Sequence, residues 1–238
     1  MSASDLKVFA IQLAFLFPLI AIALLTQRSI KWGYLAAAFA YLFADACLTG
    51  YGADVRLPVP MHWNWIGKAA SILLSAAILI ARPDLREPSG AVLRQRPSSR
   101  PTSLALVALL FAAGAYFGSQ DSAIAFNLET PLYQATMPGF AEELAFRGIA
   151  LCLLNRALGK IGGSNVGWGV LLMIVLFGAG HAVYWADDSI QVAWMAFVMT
   201  GAIGAVLMCI RLNSGSLVFP IIGHGAMDVP ATCIAMLK

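Results

Sequence analysis

Two adjacent carboxylates and a guanidinium occur in the segment Glu142-Glu143-Leu-Ala-Phe-Arg147. On a helix, Glu143 and Arg147 share a face, and an ion pair between them offsets part of the cost of burying either charge. Glu142 lies about 100° around the helix from Glu143, so Arg147 need not neutralise it and its carboxylate is left for general-base work. Glu142 is therefore the candidate base, with Glu143 and Arg147 as a supporting pair. A second pattern, Phe177-Gly-Ala-Gly-His181, sets an aromatic ring one turn from an imidazole, with two glycines that admit a neighbouring helix. In the third, His224-Gly-Ala-Met-Asp228, an imidazole and a carboxylate again share a face, and Pro220 is expected to kink the chain beside them. Taken singly, each has a plain structural explanation: a lone membrane histidine packs helices, and a Glu-Arg pair ties them. Together, a glutamate, two histidines and an aspartate supply a base, hydrogen-bond donors and metal-binding atoms, the inventory for hydrolysis.

The elements that must position these groups are membrane helices. The 238 residues are 60% hydrophobic and 11% charged, and the mean hydropathy is +0.80, beyond the range of a domain with an ordinary polar surface. Apolar runs cover residues 8–26, 33–50, 66–81, 103–118, 132–154, 167–185, 190–210 and 216–237. Each is of the length that crosses the hydrocarbon core or close to it, which predicts an all-α, polytopic transmembrane bundle of about eight spans. The first run is too long for a signal peptide and lacks a small-residue cleavage site, so it is expected to stay attached. No internal repeat is evident. The chain divides into residues 1–131, about four spans expected to support the bundle and give substrate access, and 132–238, which carry all three patterns.

An ionised group at mid-membrane costs about 2.5–3.5 kcal/mol even on the lenient insertion scale, so polar residues there normally face the bundle interior and serve function. Besides the residues named above, Asp45 lies in a predicted span and is assigned a packing or snorkelling role near the outer end. His62, among Trp63 and Trp65, reads as an interfacial residue of an aromatic belt. The loop charges alternate as eight spans require. One side carries Arg28, Lys31, Arg82, Arg86, Arg94, Arg96, Arg100, Arg156, Lys160 and Arg211 against Asp84 and Glu87. The other carries Lys7, Arg56, Lys68 and Lys238 against six acidic residues. The first side is expected to be cytoplasmic, with both termini outside and 82–101 as the one substantial cytoplasmic loop. A net charge of +3 with scattered basic residues excludes nucleic acid as a partner. Cys47, Cys152, Cys209 and Cys233 form no CxxC pair and read as small hydrophobes.

The three patterns, in this order on separate predicted helices, resemble the EExxxR, FxxxH and HxxxN or HxxxD motifs of the CAAX protease and bacteriocin-processing family of intramembrane peptidases. The resemblance implies an endopeptidase that hydrolyses a peptide bond of a membrane-anchored protein or peptide within the lipid bilayer. It implies that Glu142 and His181 activate the water, that His224 and Asp228 assist the oxyanion or the geometry, and that Glu143, Arg147 and Phe177 support them. Asp228 stands where many relatives carry Asn, and an ionised carboxylate donates no hydrogen bond to an oxyanion, so Asp228 either orients His224 or binds metal. No cofactor is favoured. If a divalent metal such as zinc is present, Glu142, His181 and His224 are its expected ligands. No G-x-S-x-G occurs and no cysteine sits beside a histidine, so the nucleophile is water. The loop charges place His181 nearer the outer end of its span, which suits sorting tails of exported proteins more than prenylated tails and fits a bacterial inner membrane. The competing class is a non-catalytic membrane protein: an immunity or scaffold factor with a degenerate site, or a small proton-coupled transporter.

Overall fold

The structure is a computed structural model that describes residues 2–55, 61–162 and 164–238. Arg56, one of the outer loop charges counted above, lies outside the described residues. The elements are α1 (Ala3–Ala14), α2 (Phe17–Thr26), α3 (Trp32–Asp54), α4 (Trp65–Ala81), α5 (Arg86–Ser89), α6 (Arg100–Gln120), α7 (Glu129–Glu142), a π-helix (Glu143–Ala150), α8 (Leu151–Leu158), α9 (Trp168–Ala182), β1 (Val183–Ala186), β2 (Ser189–Val192), α10 (Trp194–Ser214) and α11 (Val218–Met236). The fold is an all-α bundle of the kind the hydropathy predicts. By length and composition α3, α6, α10 and α11 can each cross a membrane among the described residues, and two bent helix pairs raise the count to six. The α9 helix is apolar but shorter.

Prolines explain both bends. Pro18 has no N–H to give the carbonyl of Ala14, so the predicted first span breaks into α1 and α2, inclined at 41°. Pro83 likewise ends the α4 pair, whose following turn departs at 106°. That turn opens the polar stretch 82–101, which is folded: Arg211 Nη2 donates to the Pro88 carbonyl at 2.8 Å, and Arg96 Nη1 donates to the Leu212 carbonyl at 3.1 Å. At its start, Asp84 accepts from Arg82 Nε at 2.9 Å and from Arg156 Nη1 at 2.8 Å. Those hydrogen bonds, Arg82's foremost, hold its carboxyl down at about 2.

Two expectations are corrected. The apolar run 167–185 does not stay helical to its end: α9 stops at Ala182, and Val183–Ala186 pairs antiparallel with Ser189–Val192. Asp187 and Asp188 both take positive φ, 49° and 55°, the conformation of the type I′ turn that joins tightly paired strands. Pro220 does not kink the chain near His224. It is the third residue of α11, where the N–H has no intrahelical partner to lose, and the interior proline is Pro230, which frees the carbonyl of Ala226.

The main core joins Leu16, Leu42, Ile149, Leu154, Leu158, Leu172 and Met173, so α7–α8 and α9 form the centre against which α2 and α3 pack. A smaller cluster, Leu110, Leu207, Ile210 and Met227, holds α6 and α10 on α11. Backbones come very close there: a Cβ at Gly114 would collide with the Met227 carbonyl oxygen. The four cysteines are free, and Cys152 is buried.

Candidate active site

The helical rod 129–158 runs through the centre of the bundle, and its middle is the π-helix Glu143–Ala150. Wide turns of this kind are rare in helices and recur at functional sites. Glu142 is the last residue of α7 and Glu143 the first of the wide turn, so two neighbouring carboxylates leave the rod in different directions.

Glu143 and Arg147 are completely buried, and Arg147 Nη1 donates to Glu143 Oε1 at 2.9 Å. The same oxygen accepts from His224 Nδ1 at 2.8 Å. A carboxylate oxygen only accepts, so that ring nitrogen carries the proton and the other, Nε2, is turned away. Arg147 Nη2 also reaches the Gly204 carbonyl at 3.3 Å, and its guanidinium lies over the Phe177 ring at 4.0 Å. Gly204 makes this possible, since a Cβ there would stand 2.9 Å from Phe177 Cδ1 and 3.1 Å from Arg147 Nη2. Phe177 in turn is edge-on to His224 at 6.1 Å and 4.6 Å from the His181 ring. One ring thus spaces the guanidinium and both imidazoles.

His181 Nδ1 lies 2.8 Å from the Phe177 carbonyl oxygen. A carbonyl cannot donate, so Nδ1–H does, and a neutral His181 presents the bare Nε2 lone pair. Of the two glycines before it, Gly178 meets the Phe197 carbonyl of α10 closely, whereas Gly180 faces open space.

Glu142 Oε1 accepts from Lys68 Nζ at 2.7 Å, and its Oε2 has no hydrogen-bond partner. His224 Nε2 stands 3.8 Å from that Oε2 and 3.5 Å from Asp228 Oδ2. The structure therefore brings Glu142, His224 and Asp228 together directly. His181 joins them across a shared space: a cavity of about 500 Å³ is lined by all four, with Lys68, Tyr133 and Thr200. A second cavity, about 260 Å³, lies toward α1 and α3 and is lined by Gln12, Asp45 and Ser71. Lys68, Glu142, Phe177 and His181 belong to both walls.

One placement differs from the sequence reading, and two others gain their contacts. Lys68 was counted among outer loop charges, yet it sits in the first turn of α4 with its ammonium on the candidate base. The signal was present, because Lys68 is the sole lysine inside any of the eight apolar runs. Of the two roles expected for Asp45 it takes packing rather than snorkelling: it accepts a hydrogen bond from Ser71 Oγ of α4 and lines the second cavity. The His62 and Trp63 backbone N–H groups both donate to Glu129, which with Trp65 Nε1 pins the 61–65 loop to the start of α7.

The donor set as placed does not fit a metal held by Glu142, His181 and His224. The Nδ1 hydrogen bonds of His181 and His224 leave both Nε2 atoms free to ligate, but the Lys68 ammonium occupies one oxygen of Glu142 and would repel a dication. Among the described residues no three His, Cys, Asp or Glu side chains are grouped to hold a metal ion.

Residues 125–230 match the family described as type II CAAX prenyl endopeptidase Rce1-like. No curated protein matches the chain. No solved structure matches it either.

Proposed function

Because residues 125–230 match the type II CAAX prenyl endopeptidase Rce1-like family in a chain with several membrane-crossing helices, we propose that the chain cuts membrane-anchored, CAAX-type protein tails by glutamate-activated water. The observation that carries this reading is the wall shared by the two cavities. An extended peptide running from one cavity to the other would pass Glu142 and His181 at its midpoint. Between the prenylated and sorting tails weighed from the loop charges, the family match favours the CAAX type.

Glu142 Oε2, which has no hydrogen-bond partner, takes the proton of the attacking water, while the His181 Nε2 lone pair accepts its second hydrogen and fixes its position. The water oxygen bonds to the scissile carbonyl carbon and the carbonyl electrons move onto its oxygen. Glu142 then delivers its proton to the leaving nitrogen as the C–N bond breaks, and the oxyanion collapses to the product acid. His224 and Asp228 shape the oxyanion side. Glu143 and Arg147 hold His224 from behind the cavity lining, and Phe177, which lines both cavities, spaces the two imidazoles. No step uses a metal. The first 131 residues are proposed to support the bundle and admit substrate, and through Lys68 they also reach the site.

Glu142→Gln keeps shape and hydrogen bonding but loses the basic oxygen. The variant should insert and fold, while its cleavage of a fluorogenic prenylated CAAX peptide in proteoliposomes falls by roughly 10²- to 10⁴-fold. His181→Ala should be comparably damaging, and His62→Ala, in a loop that takes no part, should leave cleavage intact. Near-normal cleavage by a well-folded Glu142→Gln protein rules the mechanism out.

A further inference from the structure

Lys68 lies outside the Rce1-like domain and outside all three motifs, yet its ammonium is the one cation among the described side chains that lines both cavities. It stands 2.7 Å from Glu142 Oε1 and shares the larger cavity with His224 and Asp228. An ion pair at such a place has a structural explanation, since a buried carboxylate needs a partner. Three observations ask more of it. First, Lys68 comes from another helix, α4, and pairs with Glu142 while Arg147, four residues along the same rod, serves Glu143. Second, the residue one turn from His224 is Asp228, which when ionised only accepts and so gives an oxyanion no hydrogen bond of the kind an Asn there would give. Third, Lys68 touches one oxygen of Glu142 and leaves the other free for a proton.

Resting on the reading of the site given above, we propose that Lys68 is a catalytic residue, the cation that stabilises the oxyanion. The charge balance gives the reason. Before attack, the ammonium is paired with the Glu142 carboxylate. When the water proton moves to Oε2, Glu142 becomes neutral and the negative charge appears on the former carbonyl oxygen. The ammonium loses one counter-ion as the other forms a few ångströms away, so the pair is conserved and no unpaired charge arises in a low-dielectric site. When the proton passes on to the leaving nitrogen and the C–N bond breaks, the oxyanion disappears and Lys68 returns to Glu142. A lysine suits the task because its ammonium is a point charge on a flexible stem and can follow the charge from one oxygen to the other.

The test uses the full-length protein in proteoliposomes with the fluorogenic prenylated CAAX peptide, plus a non-cleavable phosphinate peptide that mimics the tetrahedral intermediate. Lys68→Met should lower kcat by roughly 10²- to 10³-fold, the loss typical of one oxyanion donor, with little change in KM. It should weaken phosphinate binding in proportion, while binding of the uncleaved peptide, measured in a Glu142→Gln background, stays unchanged. Lys68→Arg should recover much of the activity. Asp228→Asn, which restores an amide donor, should partly rescue Lys68→Met. If the Met variant does not fold, Lys68→Gln is measured instead and should show the same split. Wild-type kcat in the Met or Gln variant overturns the inference while leaving the role of Glu142 standing. So does a fall in kcat with phosphinate binding intact, which marks a structural role. A wild-type protein that leaves the peptide uncut overturns both readings.

Discussion

Glu142 and Glu143 are neighbours in the chain but belong to two different regions. Glu143 sits in a dry pair with Arg147, fully buried behind His224 and Phe177, whose other faces line the larger cavity, and its contacts to Arg147 and His224 are direct. Glu142 sits on a wall with Lys68 and His181, each partly accessible from two cavities. The dry region is made by residues of the helical rod, α9, α10 and α11. The wall needs α4 as well. In the dry region Glu143 Oε1 takes both Arg147 and His224, and although Glu143 Oε2 and Arg147 Nε have no hydrogen-bond partner the pair lines neither cavity, which suits holding a geometry. On the wall the unpartnered oxygen belongs to a carboxylate that lines both cavities, which suits passing a proton. Under the proposed mechanism the two tasks fall to two different glutamates.

The comparison breaks most visibly in the dry cluster. Arg147→Gln strands a buried Glu143 and should cost roughly 3 to 5 kcal/mol of stability, with Glu143→Gln similar and the double variant milder than either. Thermal melting in detergent checks this, and a double variant no more stable than the singles would mean that the two residues are not a structural pair. An intermediate effect is expected on the cavity wall. Asp45→Asn keeps an acceptor for Ser71 Oγ and removes a charge beside partly accessible space, so the change should stay within about 1 kcal/mol. A loss as large as that of Arg147→Gln would place Asp45 in the dry region instead. The smallest effect belongs to Asp84, at the solvent end of the scale. Its folded value of about 2 lies below its ordinary 3.8, so its contribution to stability is full above about 4 and is lost as pH falls through 2. The melting difference between wild type and Asp84→Asn should be small at neutral pH and vanish over that window. A difference that persists at pH 2 would show that charge is not its source.

The same contrast explains what could be read in advance. The all-helical membrane bundle follows from hydropathy because each span is decided by its own residues. The Glu143–Arg147 pairing was legible for the same local reason: the four-residue spacing of one helix sets it. Lys68 was not, because its meaning depends on where α4 packs, and a lysine near the start of an apolar run is ordinarily a loop charge. The loss of helix after Ala182 was hidden too, since Val183, Tyr184 and Trp185 are apolar and only the paired Asp187-Asp188 turn marks the reversal. Pro220 misled because a proline's effect depends on its distance from the helix start, which hydropathy locates only within a few residues.

The wide turn at Glu143–Ala150 makes the chain unusually sensitive to length. An α-helix advances about 100° per residue, so loss of a single apolar residue after Arg147, such as Ile149, would let the segment tighten into ordinary helix and swing everything downstream. Glu142 would stay where it is, while Leu151, Leu154 and Leu158 would rotate away from α3 and α9. Such a deletion changes neither charge nor hydropathy appreciably and leaves every chemical group of the site in the chain. It would nonetheless uncouple the half of the molecule that supplies the candidate base from the half that keeps the imidazoles in line, so the count of residues here is as much a part of the candidate site as their identity.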